Sequence, residues 1–384
     1  MSASASALVS ASAVPAPLAA VPHARWITDW PATAELRARW SALATDPFGS
    51  WEWFDAAWAW AGREAQLRLL AVFEGERLAG VLPACVSTAQ GRRTLRLITV
   101  PDTQFADLLV AAPAQAPAVA ACMAEALVAA RGEWDALEFT HLRPGGAWCA
   151  LRSALAARCT VDEAPFVRNL HIALDQPWAP YYAGLSKTVR EKNKLAANRL
   201  ARVGGLEVEW LRTSTPELLQ AITQISAASW KRETGLSLDQ PGPQAWCARL
   251  AQLAAERGWL SVWIGRLNGA PVAMELQLIS DGTVYALRSD FVAEHAQVSP
   301  GTYLNWKLLE RLFGEGLTSY YMGPGENAYK LRWTRSGAEL MQLRAWSPTL
   351  RGRALHLWDT RLKPAARTLR DRLRPAKAAP EDTP

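Results

Sequence analysis

A tyrosine and a lysine stand side by side near the C-terminal end of the chain, in a glycine-rich segment. Tyr329 and Lys330 lie within YMGPGENAYKLRW, residues 321–333. A phenol and an ammonium group placed together can stabilise an oxyanion or protonate a leaving thiolate. Glycines allow tight turns at a strand end, where α/β sheets form ligand crevices. The segment predicts a catalytic pair; the alternative is a surface loop with a solvated lysine.

A second candidate site lies where a loop becomes a helix, at Ser299-Pro300-Gly301-Thr302. Serine is a good N-cap and proline a good first helical residue. Gly301 has no side chain, so a ligand can approach the backbone there. The free N–H groups and the dipole of the helix start favour an anion such as a pyrophosphate. The alternative is an ordinary helix start.

A base is needed if the reaction deprotonates an amine. Three carboxylates are candidates: Asp290, Glu275 and Glu326. We favour Asp290, because it follows a predicted strand beside the predicted anion-binding loop. The alternative for Asp290 is a turn or cap residue.

Basic residues are concentrated in two segments. Residues 186–202 carry six Lys or Arg against one Glu, and residues 350–377 carry nine against two Asp. In the first segment Lys187, Arg190 and Lys194 share one helix face and could attract an anionic acceptor such as a phosphate-linked sugar. The second segment is a predicted helix over residues 349–373 that could rest on an anionic membrane surface. Its basic residues include Arg351, Arg353, Arg361, Lys363, Arg367, Arg370 and Arg374. A solvated polar face is the alternative for both.

The composition excludes several classes of protein. The 384 residues include five cysteines and five histidines, none of them at metal-ligand spacing, so we predict no metal site. The odd number of cysteines favours a reducing compartment. No apolar run is long enough for a membrane span. Among 19 tryptophans, Trp230 and Trp333 lie close to the predicted cleft and are candidate sugar platforms.

The elements around these residues repeat. Residues 69–84 and 259–277 each predict a β-hairpin, the second with an Asn268-Gly269 turn. Each hairpin is preceded by helices and followed by a strand, a loop, a helix and another strand. A duplication with a period near 190 residues accounts for this order. The alternative is two unrelated α/β pieces.

The repeat predicts four segments. Residues 1–24 are a flexible tail, residues 25–165 the first half, residues 166–348 the second half with the donor site, and residues 349–384 a basic helix and tail. A long helix is predicted from Pro180 to Val203, ended by Gly204-Gly205.

Several motifs occur in order along the second half: G-x-P-V-A at 269–273, Y-x-L-x-S-D at 285–290, S-P-G at 299–301 and G-E-N-A-Y-K-x-x-W at 325–333. This series resembles the bacterial GNAT-type acetyltransferases of the CelD-like family, associated with cellulose and exopolysaccharide biosynthesis. That family is similar to the Fem-type aminoacyltransferases. The resemblance covers about residues 25–350 and implies an α/β fold of tandem GNAT-like halves, each a mixed sheet flanked by helices.

The resemblance also implies roles for individual residues. Residues 299–302 stand where GNAT proteins cradle the CoA pyrophosphate, although Pro300 and Thr302 replace the usual glycines. Lys330 stands where a Fem-type lysine stabilises the oxyanion, with Tyr329 beside it. The first half has Ala112-Pro113-Ala114 in place of S-P-G, which implies that it has no donor site and shapes the acceptor cleft.

The implied activity is transfer of an acyl group from acetyl-CoA or another acyl-CoA to an amine or hydroxyl of a saccharide or cell-envelope precursor. One alternative is a Fem-like transferase that uses aminoacyl-tRNA. Another is a non-catalytic scaffold that binds a synthase complex or a membrane through its basic helices. No motif indicates sequence-specific nucleic-acid binding. The expected location is the cytoplasm, with the inner-membrane surface as an alternative.

Overall fold

The computed structural model describes residues 21–30 and 36–365. The elements of the first half are, in order, β1 (His23–Ile27), α1 (Arg37–Ser41), α2 (Trp51–Ala61), β2 (Ala65–Leu67), β3 (Leu69–Glu74), β4 (Arg77–Leu82), β5 (Ala84–Ala89), β6 (Arg92–Leu97), β7 (Leu109–Val110), α3 (Ala116–Ala129), β8 (Ala136–Leu142) and α4 (Trp148–Ala156).

The elements of the second half are β9 (Thr160–Ala173), α5 (Trp178–Gly184), α6 (Lys187–Ala201), β10 (Leu206–Leu211), α7 (Pro216–Ala227), α8 (Pro241–Glu256), β11 (Leu260–Leu267), β12 (Ala270–Ser280), β13 (Thr283–Phe291), α9 (Pro300–Leu312), β14 (Ser319–Pro324), β15 (Gly337–Trp346) and α10 (Leu350–Leu357). None of the described helices is long and apolar enough to cross a bilayer.

Both predicted hairpins are present. β3 pairs with β4 and β11 with β12, each antiparallel. Asn268 and Gly269 both have positive φ, at 52° and 81°, which suits a tight hairpin turn. The order of strand, helix and strand after each hairpin is also as predicted, with α3 between β6 and β8 and α9 between β13 and β14.

One mixed sheet joins the two halves. It has eleven strands in the order β10-β11-β12-β13-β14-β9-β15-β8-β6-β5-β2, and a second sheet has the order β1-β3-β4-β7. The predicted join at 165/166 falls inside β9, a strand of 14 residues that pairs with both β14 and β15. β15 in turn pairs with β8 of the first half. β9 and β15, which are far apart in the chain, therefore lie side by side where the two halves meet in the sheet.

Helices cover both faces of the sheet of the second half. Alternate residues of β12 point to opposite faces, so Met274 packs in the core formed with α2, α7 and α8. Ala273 packs with α9 on the other face. This is the mixed α/β architecture that the sequence predicts.

Two predicted boundaries are wrong, and a third can be followed only as far as residue 365. The helix predicted from Pro180 to Val203 is two helices, because Ser186 has an extended ψ and its hydroxyl caps α6 by accepting from the N–H of Val189. The predicted tail of residues 1–24 overlaps β1, which begins at His23; residues 1–20 lie outside the described part of the chain. The predicted C-terminal helix begins as α10 and continues through a π-helical stretch, Trp358–Leu362, and its residues beyond 365 are not described.

Candidate active site

β13 and β14 run parallel and separate after three residue pairs. The pairing joins Thr283–Tyr285 to Ser319–Tyr321 and then stops. Beyond it, a bulge at Leu287 re-aims the side chains of β13. Gly323 has a φ of 83° at the end of β14, and a Cβ there would lie 3.3 Å from the carbonyl oxygen of Ala286. The two strands thus form a V that opens at their C-terminal ends, where α/β sheets place ligands.

Lys330 reaches into this V. Its Nζ donates to the carbonyl oxygens of Gly323, at 2.7 Å, and Pro324, at 2.8 Å. Burial, together with repulsion from the ammonium group of Lys231, lowers the pKa of Lys330 to about 8. The structure therefore places the ammonium group of Lys330 at the end of β14, at the mouth of the V.

Lys231 is a functional candidate that the sequence analysis missed. Its Nζ lies 2.5 Å from Oδ1 of Asp290 and donates to the carbonyl oxygen of Ser289 at 3.1 Å. It thereby stands at the end of β13, opposite Lys330 at the end of β14. Lys231 follows Trp230 in a short 3₁₀ turn more than 90 residues before Lys330. Only the fold brings the two lysines together, so no local pattern could have shown it.

Asp290 does not have the surroundings of a free base. Its side chain is fully buried, and its Oδ2 accepts a 2.8 Å hydrogen bond from the hydroxyl of Ser226 in α7. The other oxygen holds Lys231. Because the bulge turns Asp290 toward α7, the geometry favours a positioning role for this carboxylate.

Of the two alternative bases, Glu326 is exposed and pairs with Arg168 at the surface. Glu275 is buried, at 2% exposure, in the middle of β12. Tyr320 donates to Oε1 of Glu275, and the Gln277 amide donates to the same atom at 2.7 Å. Burial raises the pKa of Glu275 despite these hydrogen bonds.

Tyr329 belongs to the same polar group. Burial and the nearby carboxylate of Glu275 raise the pKa of Tyr329 well above its usual range. Its hydroxyl therefore stays neutral and can donate a hydrogen bond, but it is a poor source of protons. Glu275 pairs with Ser289 across β12 and β13, which places this group beside the end of the V.

The start of α9 differs from the predicted capped helix. Ser299 has φ 56° and ψ 52°, and its side chain makes no cap hydrogen bond. Its backbone carbonyl instead accepts from the N–H of Thr302, at 3.2 Å. A Cβ on Gly301 would lie 3.2 Å from the ring of Phe291. Gly301 and buried Pro300 thus let the helix start pack closely against the end of β13, which is a structural reason for this glycine.

A loop of the first half enters the V from the other side. Gln104 donates to the carbonyl oxygen of Ala286 at 2.8 Å, where the pairing of β13 and β14 has just ended. The amide of Asn169 donates to the Gln104 side-chain oxygen at 3.2 Å. Asp102 accepts from Arg288 of β13 in a buried, bidentate ion pair, at 2.7 and 3.2 Å. No pattern in the sequence indicates this contact.

The predicted acceptor residues have different surroundings. Lys187 and Lys194 are exposed on α6, whereas Arg190 is half-buried. Trp230, next to Lys231, is 58% exposed and has a free aromatic surface. Trp333 is only 4% exposed and packs in the core with α9, so the prediction that it is a sugar platform is wrong.

The first half has a V of its own, between β6 and β8, but it is closed. Its parallel pairing covers 94–96 and 136–138, and a further bridge joins Ala106 to Leu142. The carboxylate of Asp107 accepts from the N–H groups of Ala147 and Trp148 at the start of α4. Burial raises the pKa of Asp107 to about 7. A cavity of about 540 Å³ lies next to these residues.

Comparisons with known proteins concern the fold around this site. Residues 187–331 match the family model of the acetyltransferase (GNAT) domain. This range contains the V, α9 and both lysines. No curated protein matches the chain. Among the described residues, no group of His, Cys, Asp or Glu is arranged to hold a metal ion.

Similar solved structures span both halves. FemX aligns with a TM-score of 0.55 and 13% identity over 83% of this chain and 96% of its own. The C-terminal domain of a protein named as a lysylphosphatidylglycerol synthetase from Agrobacterium fabrum aligns with a TM-score of 0.52 and 14% identity, over 84% and 95% of the two chains. L-PGS from Bacillus licheniformis aligns with a TM-score of 0.51 and 14% identity, over 83% and 97%. At these identities the likeness shows the fold alone, and the predicted class of tandem GNAT-like α/β halves is confirmed.

Proposed function

We propose that the protein is an acyltransferase that holds the acyl group of a thioester donor in the V between β13 and β14. The observation that carries this proposal is the ammonium group of Lys330 at the mouth of the V. Lysine has three N–H donors, and the carbonyls of Gly323 and Pro324 use two of them. No other described residue accepts from this ammonium group, so the third N–H is available for an oxyanion.

The chemistry follows from that placement. An acceptor nitrogen or oxygen attacks the thioester carbon, and the carbonyl electron pair moves onto oxygen. Lys330 stabilises this oxyanion, with the charge of Lys231 nearby. When the carbonyl reforms, the C–S bond breaks and the thiolate leaves. Tyr329, held neutral, can contribute a hydrogen bond but not a proton at ordinary pH.

The proton released by the acceptor needs a base. Of the three predicted carboxylates, we propose Glu275 for this role, because burial raises its pKa, whereas Asp290 is held in an ion pair with Lys231. Asp290 then acts as a positioning residue that holds Lys231.

The donor in this proposal is acetyl-CoA or another acyl-CoA, as the GNAT domain match supports. The acceptor is an amine or hydroxyl of a saccharide or cell-envelope precursor, as in exopolysaccharide or cellulose biosynthesis. The exposed indole of Trp230 beside Lys231 supports a sugar, since indoles stack on sugar rings. An acyl-CoA donor places the reaction in the cytoplasm.

Binding of the donor can be tested by thermal unfolding with acetyl-CoA and longer acyl-CoA thioesters. We expect the melting temperature to rise with donor concentration, because a ligand of the folded state stabilises it. Gly301→Glu should abolish the rise by placing a carboxylate at the helix start. Gly301→Gln controls for contact with Phe291, since it has the same size without the charge. No rise with any acyl-CoA would contradict the proposal.

A second donor deserves a direct test because Pro300 and Thr302 replace the glycines of the usual CoA loop. That donor is aminoacyl-tRNA, and the fold shared with FemX is compatible with it. Transfer that depends on charged tRNA, with no response to acyl-CoA, would favour this alternative. If a Lys330→Ala strain has normal polysaccharide output, the protein acts as a scaffold instead.

A further inference from the structure

The C-terminal helical segment, residues 350–365, carries an apolar stripe on its outer face. Leu350 is 86% exposed, Leu357 54%, Trp358 52% and Leu362 56%. Leu350, Ala354, Leu357 and Trp358 follow the spacing i, i+4, i+7 and i+8, so they lie along one side of the helix. Leu362 lies about one turn after Trp358, at the end of the π-helical stretch. Four large, exposed apolar side chains on so short a segment are unusual for a surface that meets only water.

The inner face of this segment is fixed to the sheet. Asp359 accepts from Arg92, at 2.8 Å, and from the indole of Trp346, at 3.1 Å. Gly352 packs so closely that a Cβ would lie 2.0 Å from the carbonyl oxygen of Ser347. Arg351 pairs with Asp135 at 3.2 Å. These anchors hold the segment in one orientation, with the apolar stripe outward.

Positive charge flanks the stripe. Arg353, Arg361 and Lys363 are all exposed, and the segment's single acidic residue, Asp359, is already paired with Arg92. Exposed apolar residues between cations are the pattern of a helix that lies in the interface of an anionic bilayer. The other basic helix, α6, lacks this pattern: its large exposed apolar residue is Leu195, and Lys187 pairs with Glu191.

We propose that residues 350–365 dock the protein on the surface of an anionic lipid bilayer, with Leu357, Trp358 and Leu362 inserted among the headgroups and Arg353, Arg361 and Lys363 against lipid phosphates. The fixed inner face then sets how the enzyme sits on the membrane. Apolar insertion and charge attraction act together, so binding should require both.

The test is flotation of the full chain with vesicles, without any acyl donor, so that it is independent of the proposed activity. We expect binding to vesicles of phosphatidylcholine with phosphatidylglycerol, and little binding to phosphatidylcholine alone. Raising the salt should weaken binding, because it screens charges at the surface. Leu357→Asp and Trp358→Asp should each reduce partitioning about tenfold or more, since each removes a large apolar side chain from the interface. Arg361→Glu should reduce it on anionic vesicles.

Matched variants on α6, Leu195→Asp and Lys187→Glu, should leave binding unchanged. Circular dichroism of each variant checks folding, which exposed substitutions rarely disturb. No binding to anionic vesicles, or equal losses from the α6 variants, would overturn the proposal. A dimer that Leu357→Asp dissociates, without vesicle binding, would identify a second copy as the occupant instead. Binding that appears only after deletion of residues 1–20 would likewise overturn it, by showing that this segment covers the stripe.

Discussion

The guanidinium of Arg288 and the carboxylate of Asp102 form a bidentate ion pair between the two halves, 2.7 and 3.2 Å long and almost completely buried. Arg288 lies on β13, one wall of the V, and Asp102 on the loop that also carries Gln104. The pair therefore holds β13, one wall of the V, against a loop of the first half.

Removing one partner of this pair should be costly. A buried charge left without its partner destabilises a protein by about 3–5 kcal/mol. We expect a loss of this size in the free energy of unfolding for Asp102→Asn, measured by urea denaturation. Glu133→Gln, which breaks the more exposed pair with Arg68, is the control and should cost less than about 1 kcal/mol. Equal losses in the two variants would show that the buried pair has no special role.

The charge of Lys330 should control the alkaline side of the activity. With a pKa of about 8, its ammonium form declines as the pH rises above that value. We expect kcat/KM to fall through the same range, and Lys330→Ala to lower kcat by about 100-fold or more, as for loss of an oxyanion donor. Lys330→Arg keeps its charge, so any residual activity should persist to higher pH. An unchanged alkaline limb in Lys330→Arg would rule out this assignment.

Asp290 should act through Lys231 rather than on the substrate. Asp290→Asn keeps the shape and the contact with Ser226 but weakens the hold on Lys231. We expect Asp290→Asn and Lys231→Met to lower kcat by similar factors and the double variant to lose little more, because the two residues act as a unit. Steady-state kinetics of the three variants test this. Multiplicative losses would instead indicate that Asp290 has a separate role, such as the base.

The sequence predicted the elements that have strong local signals. The Asn268-Gly269 turn and the Pro-Gly start of α9 are each determined by residues adjacent in the chain, so a local pattern shows where they lie. β9 and β15 were not predicted, because their place is set by pairing between residues far apart, such as Arg168 with Glu339.

The same distinction separates the site residues. Tyr329 and Lys330 were predicted as site residues because they are adjacent within a recognisable motif. Lys231, Gln104 and Asp102 come from distant segments and contact the V only after the halves have folded together. Serine is a common N-cap residue, but Ser299 has a left-handed backbone, with φ 56°, and its side chain makes no cap hydrogen bond.

Lys330 should also affect how the free energy of unfolding depends on pH. Its pKa in the folded protein is about 8, below the value of about 10.4 for an exposed lysine. Between these values the unfolded chain binds more protons, so the contribution of Lys330 to stability rises with pH. Below pH 8 the penalty for burying the charge is fully present.

Lys330→Met removes that penalty. Relative to the wild type, the variant should gain most in the free energy of unfolding near pH 7, and the gain should shrink toward pH 10. The two hydrogen bonds to Gly323 and Pro324 are also lost. Their loss changes the free energy of unfolding by the same amount at every pH. Urea unfolding at a series of pH values measures the slope, with Lys192→Met on the exposed face of α6 as the control for loss of a positive charge. If the difference in the free energy of unfolding between variant and wild type does not change with pH over this range, the ammonium group of Lys330 is not held in a desolvated site.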